Sequence, residues 1–303
     1  MGKSADVRPA SGDTPAMASL RATIGNALPP RLANRARSLV RGLDQLAGLP
    51  LAPLRPGAVC MFHTGRCGSS VLGGLLDQHP RVRWDREIYF HRWTAGDRTF
   101  APWDSRGFLR RRMWAAGRRW YGYEMKFLAA QHLAIVGRTL PEYVAEARAA
   151  GVTHFLVLER RNALRRLVSE YAGRVTKTRH AAADAAATGP TRVTLDVERA
   201  YVWRGRPPGP LVAHLDEYAA AHRELLALLR DDRHLHLTFE DDVAAAGPEA
   251  AYARVCAFLG IAPAPARPHT RRLAPQPLSE LVANFDEVAR ALAATPHAWM
   301  LEA

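Results

Sequence analysis

Residues 60–76 read CMFHTGRCGSSVLGGLL, and the rest of the fold is best worked out from this stretch. An apolar run is followed by a Gly-Arg-Cys-Gly-Ser-Ser loop at 65–70, and then by a second apolar run whose spacing is helical. A strand that leads through such a loop into a helix directs backbone N–H groups and the positive end of the helix dipole at one point. The stretch therefore predicts a cradle for a phosphate-sized anion.

The loop differs from the phosphate loop of nucleoside triphosphatases. The Gly-Lys-Ser/Thr ending of that loop is absent; the basic residue, Arg66, comes earlier, and Ser69 and Ser70 follow Gly68 directly. A γ-phosphoryl group bridged by Mg²⁺ requires the lysine and a hydroxyl that binds the metal. A less highly charged group, such as sulfuryl, can be held by an arginine and backbone amides. We therefore expect chemistry that requires no metal.

The sequence TGRCGSS at 64–70, followed by LGGLL at 72–76, resembles the 5′-phosphosulfate loop of sulfotransferases that use 3′-phosphoadenosine 5′-phosphosulfate (PAPS). The resemblance implies a P-loop-like sulfotransferase fold from about residue 57 to the C-terminus. It also implies that Arg66 neutralises charge on the bridging oxygen as 3′,5′-adenosine bisphosphate leaves. The loop residues expected to bind the cofactor are Thr64, Gly65, Arg66, Cys67, Gly68, Ser69 and Ser70.

A second segment, LERRNALRRLVSEY at 158–171, resembles the family's binding segment for the 3′-phosphate. There a strand is followed by an arginine and, eight residues on, by a serine; Arg161 and Ser169 stand at that spacing here. Arg161 would lie at a helix start, where guanidinium and helix dipole act together on a doubly charged phosphate. Arg165 and Arg166 of the same helix are interpreted as a solvated face.

Transfer to a hydroxyl requires a base within hydrogen-bond reach of that hydroxyl. Glu87, in a predicted loop at DREIYF, resembles the carboxylate base of several bacterial and carbohydrate-modifying sulfotransferases, and His91 is the alternative. Lys126, in YGYEMKF, resembles a lysine that follows an apolar strand in related bacterial enzymes, where it would face the acceptor or the transferring group. His63 adjoins the cradle and is interpreted as a packed histidine at a strand end.

Strands alternate with helices along the chain, which predicts an α/β fold with a mostly parallel central sheet flanked by helices. The later segment at 237–261 resembles the family's scaffold, and the one at 271–288 resembles C-terminal segments of bacterial members. In the latter, Arg271 and Arg272 are candidates for closing over the nucleotide. Residues 174–210, rich in alanine and basic residues, are predicted to form a long loop or variable insert.

Composition sets broad limits. The 303 residues are 48% hydrophobic and 23% charged, as in an ordinary globular protein, and the net charge of +13 favours anionic partners. The three cysteines are too few and too scattered for a disulfide framework or a zinc site. We find no apolar stretch long enough to span a bilayer and no secretory signal, so a cytoplasmic location is expected.

The N-terminal part lies outside the resemblance. Residues 1–30 are rich in Ala, Ser, Pro and Gly and are predicted to be disordered. Residues 31–56 combine an amphipathic helix at 31–47 with a Pro-rich lead-in to the domain at 57–303. We interpret this helix as packed on the domain; peripheral membrane contact is the alternative.

Two other functions remain open. A P-loop kinase or NTPase would use FLVLE at 155–159 as its metal-binding strand, although that strand ends in Glu159 rather than Asp. A basic nucleic-acid-binding protein would use Arg106–Trp120, but no binding module is recognisable there, so no specific nucleic-acid partner is expected. For the sulfotransferase, the acceptor is a hydroxyl of a carbohydrate, a glycolipid or a small metabolite. The sequence does not fix the oligomeric state.

Overall fold

The structure is a computed structural model that describes residues 43, 46, 48–90, 103–176, 181–182, 191–200, 207–271 and 276–302. Its strands, within these ranges, are β1 (Ala58–His63), β2 (Val82–Glu87), β3 (Trp120–Lys126), β4 (His154–Glu159), β5 (Ala181–Ala182), β6 (His234–Thr238) and β7 (Thr270–Arg271). Five of them form one sheet in the order β2-β3-β1-β4-β6, and every pair in it is parallel. The predicted α/β fold with a parallel central sheet is confirmed.

The described α-helices are α1 (Ser69–Asp77), α2 (Ser105–Trp114), α3 (Ala134–Val136), α4 (Leu140–Ala150), α5 (Ala163–Val175), α6 (Leu211–Leu228), α7 (Pro248–Phe258), α8 (Leu278–Leu281) and α9 (Phe285–Leu292). Two π-helical segments, Ala129–Leu133 and Phe239–Ala245, follow β3 and β6 directly. Two 3₁₀ helices, Leu49–Leu54 and Ala298–Leu301, complete the described helical structure.

Helices cover both faces of the sheet, as a parallel sheet requires. All six residues of β1 are buried, and they alternate between two cores. Cys60 and Phe62 pack in the core that α2, α4, α5 and α6 share, whereas Val59 and Met61 pack in the core of α1 and α7. Because β1 lies in the middle of the sheet, the loop that follows it emerges at the centre of the sheet's carboxyl edge.

The strand register decides which residues meet at that edge. His63, the last residue of β1, lies opposite Lys126 of β3 on one side and Leu158 of β4 on the other. The loops after β1, β3 and β4 therefore open next to one another. Ligands of open α/β sheets bind at this edge, where neighbouring connections diverge.

A β-bulge near the end of β2 changes the direction of Glu87. Trp84 pairs with Gly122, but the next pair is Glu87 with Glu124, so β2 contains one extra residue. Arg86, in the bulge, has a positive φ of 49°. In a regular strand Trp84 and Glu87 would face opposite sides of the sheet, whereas the extra residue brings both to Glu124. Glu87 thus ends a strand and does not lie in the predicted loop.

The N-terminal predictions are tested only in part. Residues 1–42 lie outside the described residues, but two leucines of the proposed amphipathic helix, Leu43 and Leu46, are 60% and 68% exposed. These two side chains do not pack on the domain, but the rest of the helix lies outside the described residues, so its packing stays a prediction. Within the predicted insert, Val193 instead pairs with Val282 near the C-terminus and is buried. No helix in the described ranges is long and apolar enough to cross a membrane.

Candidate active site

The loop at 64–68 connects β1 to α1 in the predicted order. Gly65, Arg66 and Gly68 have positive φ values of 83°, 60° and 88°. Gly68 is the N-cap of α1 and supplies no side-chain cap. Among the described residues, the backbone N–H groups of Cys67, Gly68 and Ser70 have no hydrogen-bond partner. Unsatisfied amides at a helix start are the donors that an anion would use, and anion binding by this loop stays a prediction.

Arg66 joins the cradle to the second predicted cofactor segment. Its Nε and Nη2 donate to Oγ of Ser169, at 3.1 and 2.9 Å. Arg160 was not among the predicted site residues. Its Nη1 donates to the carbonyl of Arg66 at 3.1 Å and so stabilises the loop. Only the position of Arg160 directly after β4 could have suggested this contact. The structure thus brings residues 64–70 and 158–169 together at one edge of the sheet.

Thr64 is held from two sides. Its Oγ1 donates to the hydroxyl of Tyr218 on α6 at 3.3 Å, and its carbonyl accepts from Nε2 of Gln131 at 3.1 Å. Tyr218 in turn donates to the carbonyl of Arg160 at 3.0 Å. These bonds fix the entry to the loop, so its backbone amides are positioned before any ligand binds.

Glu87 lies beside the cradle, close to two basic side chains. Nζ of Lys126 is 2.8 Å from its Oε1, and Nε2 of His132 is 3.4 Å from its Oε2. Lys126 also lies against the loop, because a methyl group added at Gly65 would be 3.3 Å from its Cε and 3.8 Å from its Nζ. The structure therefore brings the predicted residues Glu87, Lys126 and Arg66 to the same edge.

His132 is a residue that the sequence analysis missed. It lies in the π-helical segment Ala129–Leu133 and is buried. Its Nδ1 accepts from the backbone N–H of Lys126 at 3.1 Å, so the ring proton lies on Nε2 and faces Glu87. No local signal marks this histidine, since its role depends on a contact between segments far apart in the sequence.

The protonation of this pair follows from burial and charge. Burial by itself would raise the pKa of Glu87, but His132 and Lys126 outweigh burial and hold that pKa well below its usual range. Burial lowers the pKa of His132 to about 4, and the nearby Glu87 carboxylate only partly offsets it. At neutral pH Glu87 is therefore a carboxylate paired with Lys126, and His132 is a neutral ring whose Nε2 lies 3.4 Å from it.

His63 is buried at the end of β1, where the sequence places it. Its Nδ1 accepts from the N–H of Gly65 at 3.1 Å, and its Nε2 lies 3.4 Å from Oε2 of Glu124. Burial opposes a charge on the ring, although Cys67 and Glu124 together raise the pKa of His63 to about 9. A proton on Nε2 fits both contacts, because Nδ1 accepts from the Gly65 N–H and Nε2 faces the Glu124 carboxylate.

A metal ion would meet obstacles here. His63, Glu87 and Glu124 each offer a ligand atom, and these atoms lie within 4.8 Å of one another. However, Nδ1 of His63 accepts a hydrogen bond, so its Nε2 carries the ring proton that a metal would have to displace. Glu124 is bound on Oε1 by Nε1 of Trp84 at 3.0 Å, and Glu87 is bound by Lys126. The group is better described as a network of donors and carboxylates than as a metal site.

The start of α5 differs from the arrangement we expected. The carboxylate of Glu240 accepts from the backbone N–H groups of Arg161 and Asn162, at 3.0 and 3.1 Å. The guanidinium of Arg161 is 2.7 Å from Asp241. A phosphate at this helix start would have to exchange with these carboxylates, so the role of Arg161 stays a prediction. Ser169, two turns along, lies beside Arg66 as described above.

Arg166 contradicts its sequence-based interpretation. We expected it on a solvated face, yet it is only 1% exposed and is among the largest fully buried side chains. Arg165 is half-buried, and its Nη1 donates to the carbonyl of Gln276 at 2.9 Å. The apolar residues of α5 are spaced so that either arginine could face outward, and only the packing of α6 decides that Arg166 does not.

The remaining candidates are placed as follows. His91 and Arg272 lie outside the described residues; Arg271 is in β7. Glu159, which a kinase would use for metal, is 2.9 Å from Nε2 of His236. Trp120, in the basic segment proposed for nucleic acid, is buried and lies edge-on to His154. Neither arrangement strengthens the corresponding alternative.

Comparison with protein-family models, curated proteins and solved structures yields no match for this chain.

Proposed function

We propose that the protein is a sulfotransferase that moves a sulfuryl group from PAPS to an acceptor hydroxyl. The observation that carries this proposal is the contact between Arg66 and Ser169, at 2.9 and 3.1 Å. It joins the two segments whose sequences resemble the 5′-phosphosulfate and 3′-phosphate sites of that family. Two such resemblances, far apart in the chain, meet at the edge of the sheet where a nucleotide would bind.

The residues of the site fit the proposed cofactor. The amides of Cys67, Gly68 and Ser70, which have no partner in the described part of the chain, would hold the 5′ end together with Arg66 and Lys126. Ser169 and Arg161 would hold the 3′-phosphate, with Arg161 exchanging Asp241 for it. These donors are amides and cations that need no bridging metal. When bound, PAPS supplies an activated sulfuryl group.

Glu87 is the proposed base, and its partners determine when it can act. While Lys126 is 2.8 Å from Oε1, the low pKa makes Glu87 a weak proton acceptor. Because Lys126 also lies against Gly65, an anion in the cradle offers the ammonium group a second partner. A shift of Lys126 towards the cradle would free Oε1 for the acceptor hydroxyl and raise the pKa of Glu87.

His132 and Arg66 have supporting roles in this scheme. Nε2 of the buried His132 lies 3.4 Å from Oε2 of Glu87, which leaves Oε1 as the oxygen that would meet the acceptor. Glu87 takes the hydroxyl proton, and Arg66 neutralises the negative charge that develops on the leaving oxygen. The acceptor is proposed to be a hydroxyl of a carbohydrate, a glycolipid or a small metabolite.

Calorimetry with 3′,5′-adenosine bisphosphate in metal-free buffer tests the cofactor assignment. The wild type should bind the bisphosphate without metal and more tightly than Mg-ATP. Arg161→Ala and Ser169→Ala should each weaken binding about tenfold, because each removes a contact to a phosphate. Arg165→Gln, on the same helix but bonded to Gln276, is the matched control and should bind like the wild type. Absence of bisphosphate binding, or a preference for Mg-ATP, would reject the assignment.

A further inference from the structure

The buried guanidinium of Arg166 forms no ion pair with any carboxylate in the part of the chain that the structure describes. Its Nη2 lies 3.4 Å from Nε2 of His214, and its central carbon lies 5.3 Å from the centre of the Tyr218 ring. Its Nε has no hydrogen-bond partner among the same residues. Arg166 thus differs from Arg161, Arg148 and Arg112, each of which pairs with an aspartate.

Burial of an arginine in this way is energetically unfavourable. Buried charges in proteins are normally paired and hydrogen-bonded, because removing an ion from water costs more than weak contacts return. The Tyr218 ring offers a cation–π contact, which recovers only part of that cost. The free Nε–H is one of the two parallel donors with which arginine binds a carboxylate, sulfate or phosphate. The side chain is therefore set up for an oxyanion.

Two chains of contacts place Arg166 next to the cradle. On one side, Tyr218 receives the hydroxyl hydrogen of Thr64, the first residue of the loop. On the other side, Ser169 lies one helical turn beyond Arg166 on α5 and accepts from Arg66. Arg166 is therefore linked to the cradle through α5 and through α6, yet it contributes to none of the contacts assigned to the cofactor.

We propose that Arg166 binds an acidic group of the acceptor, a carboxylate, sulfate or phosphate, beside the cofactor. The proposal rests on the proposed function in one respect, namely that an acceptor binds next to the cradle. It narrows the acceptor class from any hydroxyl compound to one that also carries an oxyanion. The net charge of +13 agrees with an acidic partner.

Inorganic sulfate is the probe for this site. In calorimetry, wild-type protein saturated with 3′,5′-adenosine bisphosphate should bind sulfate, and Arg166→Met should reduce that affinity at least tenfold. Arg165→Gln removes the neighbouring charge on the same helix and should bind sulfate like the wild type. Without any anion present, Arg166→Met should have a Tm equal to or above that of the wild type, because methionine fills similar space without a charge.

Each other result argues against the proposal. A lower Tm for Arg166→Met with unchanged sulfate affinity would make Arg166 a structural residue, and a parallel loss of bisphosphate affinity would assign it to the cofactor. If Arg166→Met does not fold, Arg166→Lys replaces it as the test. Lysine keeps the positive charge but lacks the two parallel guanidinium donors, so this variant should bind sulfate more weakly than the wild type. If the wild type binds no bisphosphate, the proposed function fails, while a sulfate titration of wild type against Arg166→Met still tests the anion site.

Discussion

Two strand–loop–helix units lie side by side at the carboxyl edge of the sheet, β1 with α1 and β4 with α5. In the first, the helix starts at Gly68 without a side-chain cap, and three amides have no partner among the described residues. In the second, the Asn162 side chain caps α5, and Glu240 accepts from the backbone N–H groups of Arg161 and Asn162. One helix start is open to an anion, and the other already holds a carboxylate.

The comparison shows that a strand–loop–helix motif defines only a potential anion site. The helix dipole and the free amides are common to all helix starts. Whether a ligand or a side chain satisfies them depends on what the rest of the fold brings there. In the second unit that is Glu240, which is 78 residues from Asn162 in the chain.

The largest effect, on bisphosphate binding, is expected from Gly68→Ala at the helix start of the open unit. The φ of 88° disfavours alanine, and its methyl group would lie 3.2 Å from Phe239 and Val243. We expect a loss of about 1–2 kcal/mol in the free energy of unfolding and at least 100-fold weaker bisphosphate binding. Thermal unfolding and calorimetry measure the two effects.

Gly137→Ala is the matched control for this substitution. Gly137 has a φ of 64°, and a methyl group there would have nothing within 4 Å. It should lose similar stability but bind the bisphosphate normally. If both variants bind equally well, the conformation of the cradle does not determine anion binding.

An effect of intermediate size is expected at His132, beside the open unit, in the pH dependence of the free energy of unfolding. Burial holds the pKa of His132 at about 4, below its ordinary value of 6.5. Between these values the unfolded chain binds a proton that the folded protein does not, so stability falls as the pH drops from 6.5 towards 4. His132→Gln, a polar side chain that does not titrate, should remove roughly 2 kcal/mol of that fall.

Urea unfolding of wild type and His132→Gln at several pH values in this window provides the measurement. If the variant lacks only the titration, the difference between the two proteins should be constant near pH 7 and change most near pH 4, where only the wild type has lost the stability linked to this histidine. Parallel curves across the window would show that His132 does not titrate as its burial requires.

The smallest effect is expected from opening the closed unit with Glu240→Ala. Two backbone N–H groups at the start of α5 would lose their acceptor, which should cost about 1–2 kcal/mol in phosphate-free buffer. Added phosphate should then raise the Tm of this variant more than that of the wild type, because the amides and Arg161 become available. Glu240→Gln retains an acceptor oxygen and serves as the control. Equal phosphate effects on all three proteins would contradict the comparison.

Much of the fold and part of the site follow from local patterns. The apolar run, glycine loop and helical spacing at 60–76 predict the β1–α1 unit, because these features depend on neighbouring residues. Glu87 and Lys126 were singled out by resemblance, and the structure places them 2.8 Å apart. The bulge that directs Glu87 at Glu124 was not predictable, since nothing in DREIYF marks an extra residue.

The sequence by itself determined the parallel α/β architecture and the strand–loop–helix unit at 60–76, because hydrophobic periodicity and glycine placement act over short distances. Only the tertiary structure decided that Glu240 covers the start of α5, that His132 lies beside Glu87 and that Arg166 is buried against Tyr218. Each of these depends on contacts between segments far apart in the chain. Their formation is governed by how helices pack across the sheet, which no local pattern records.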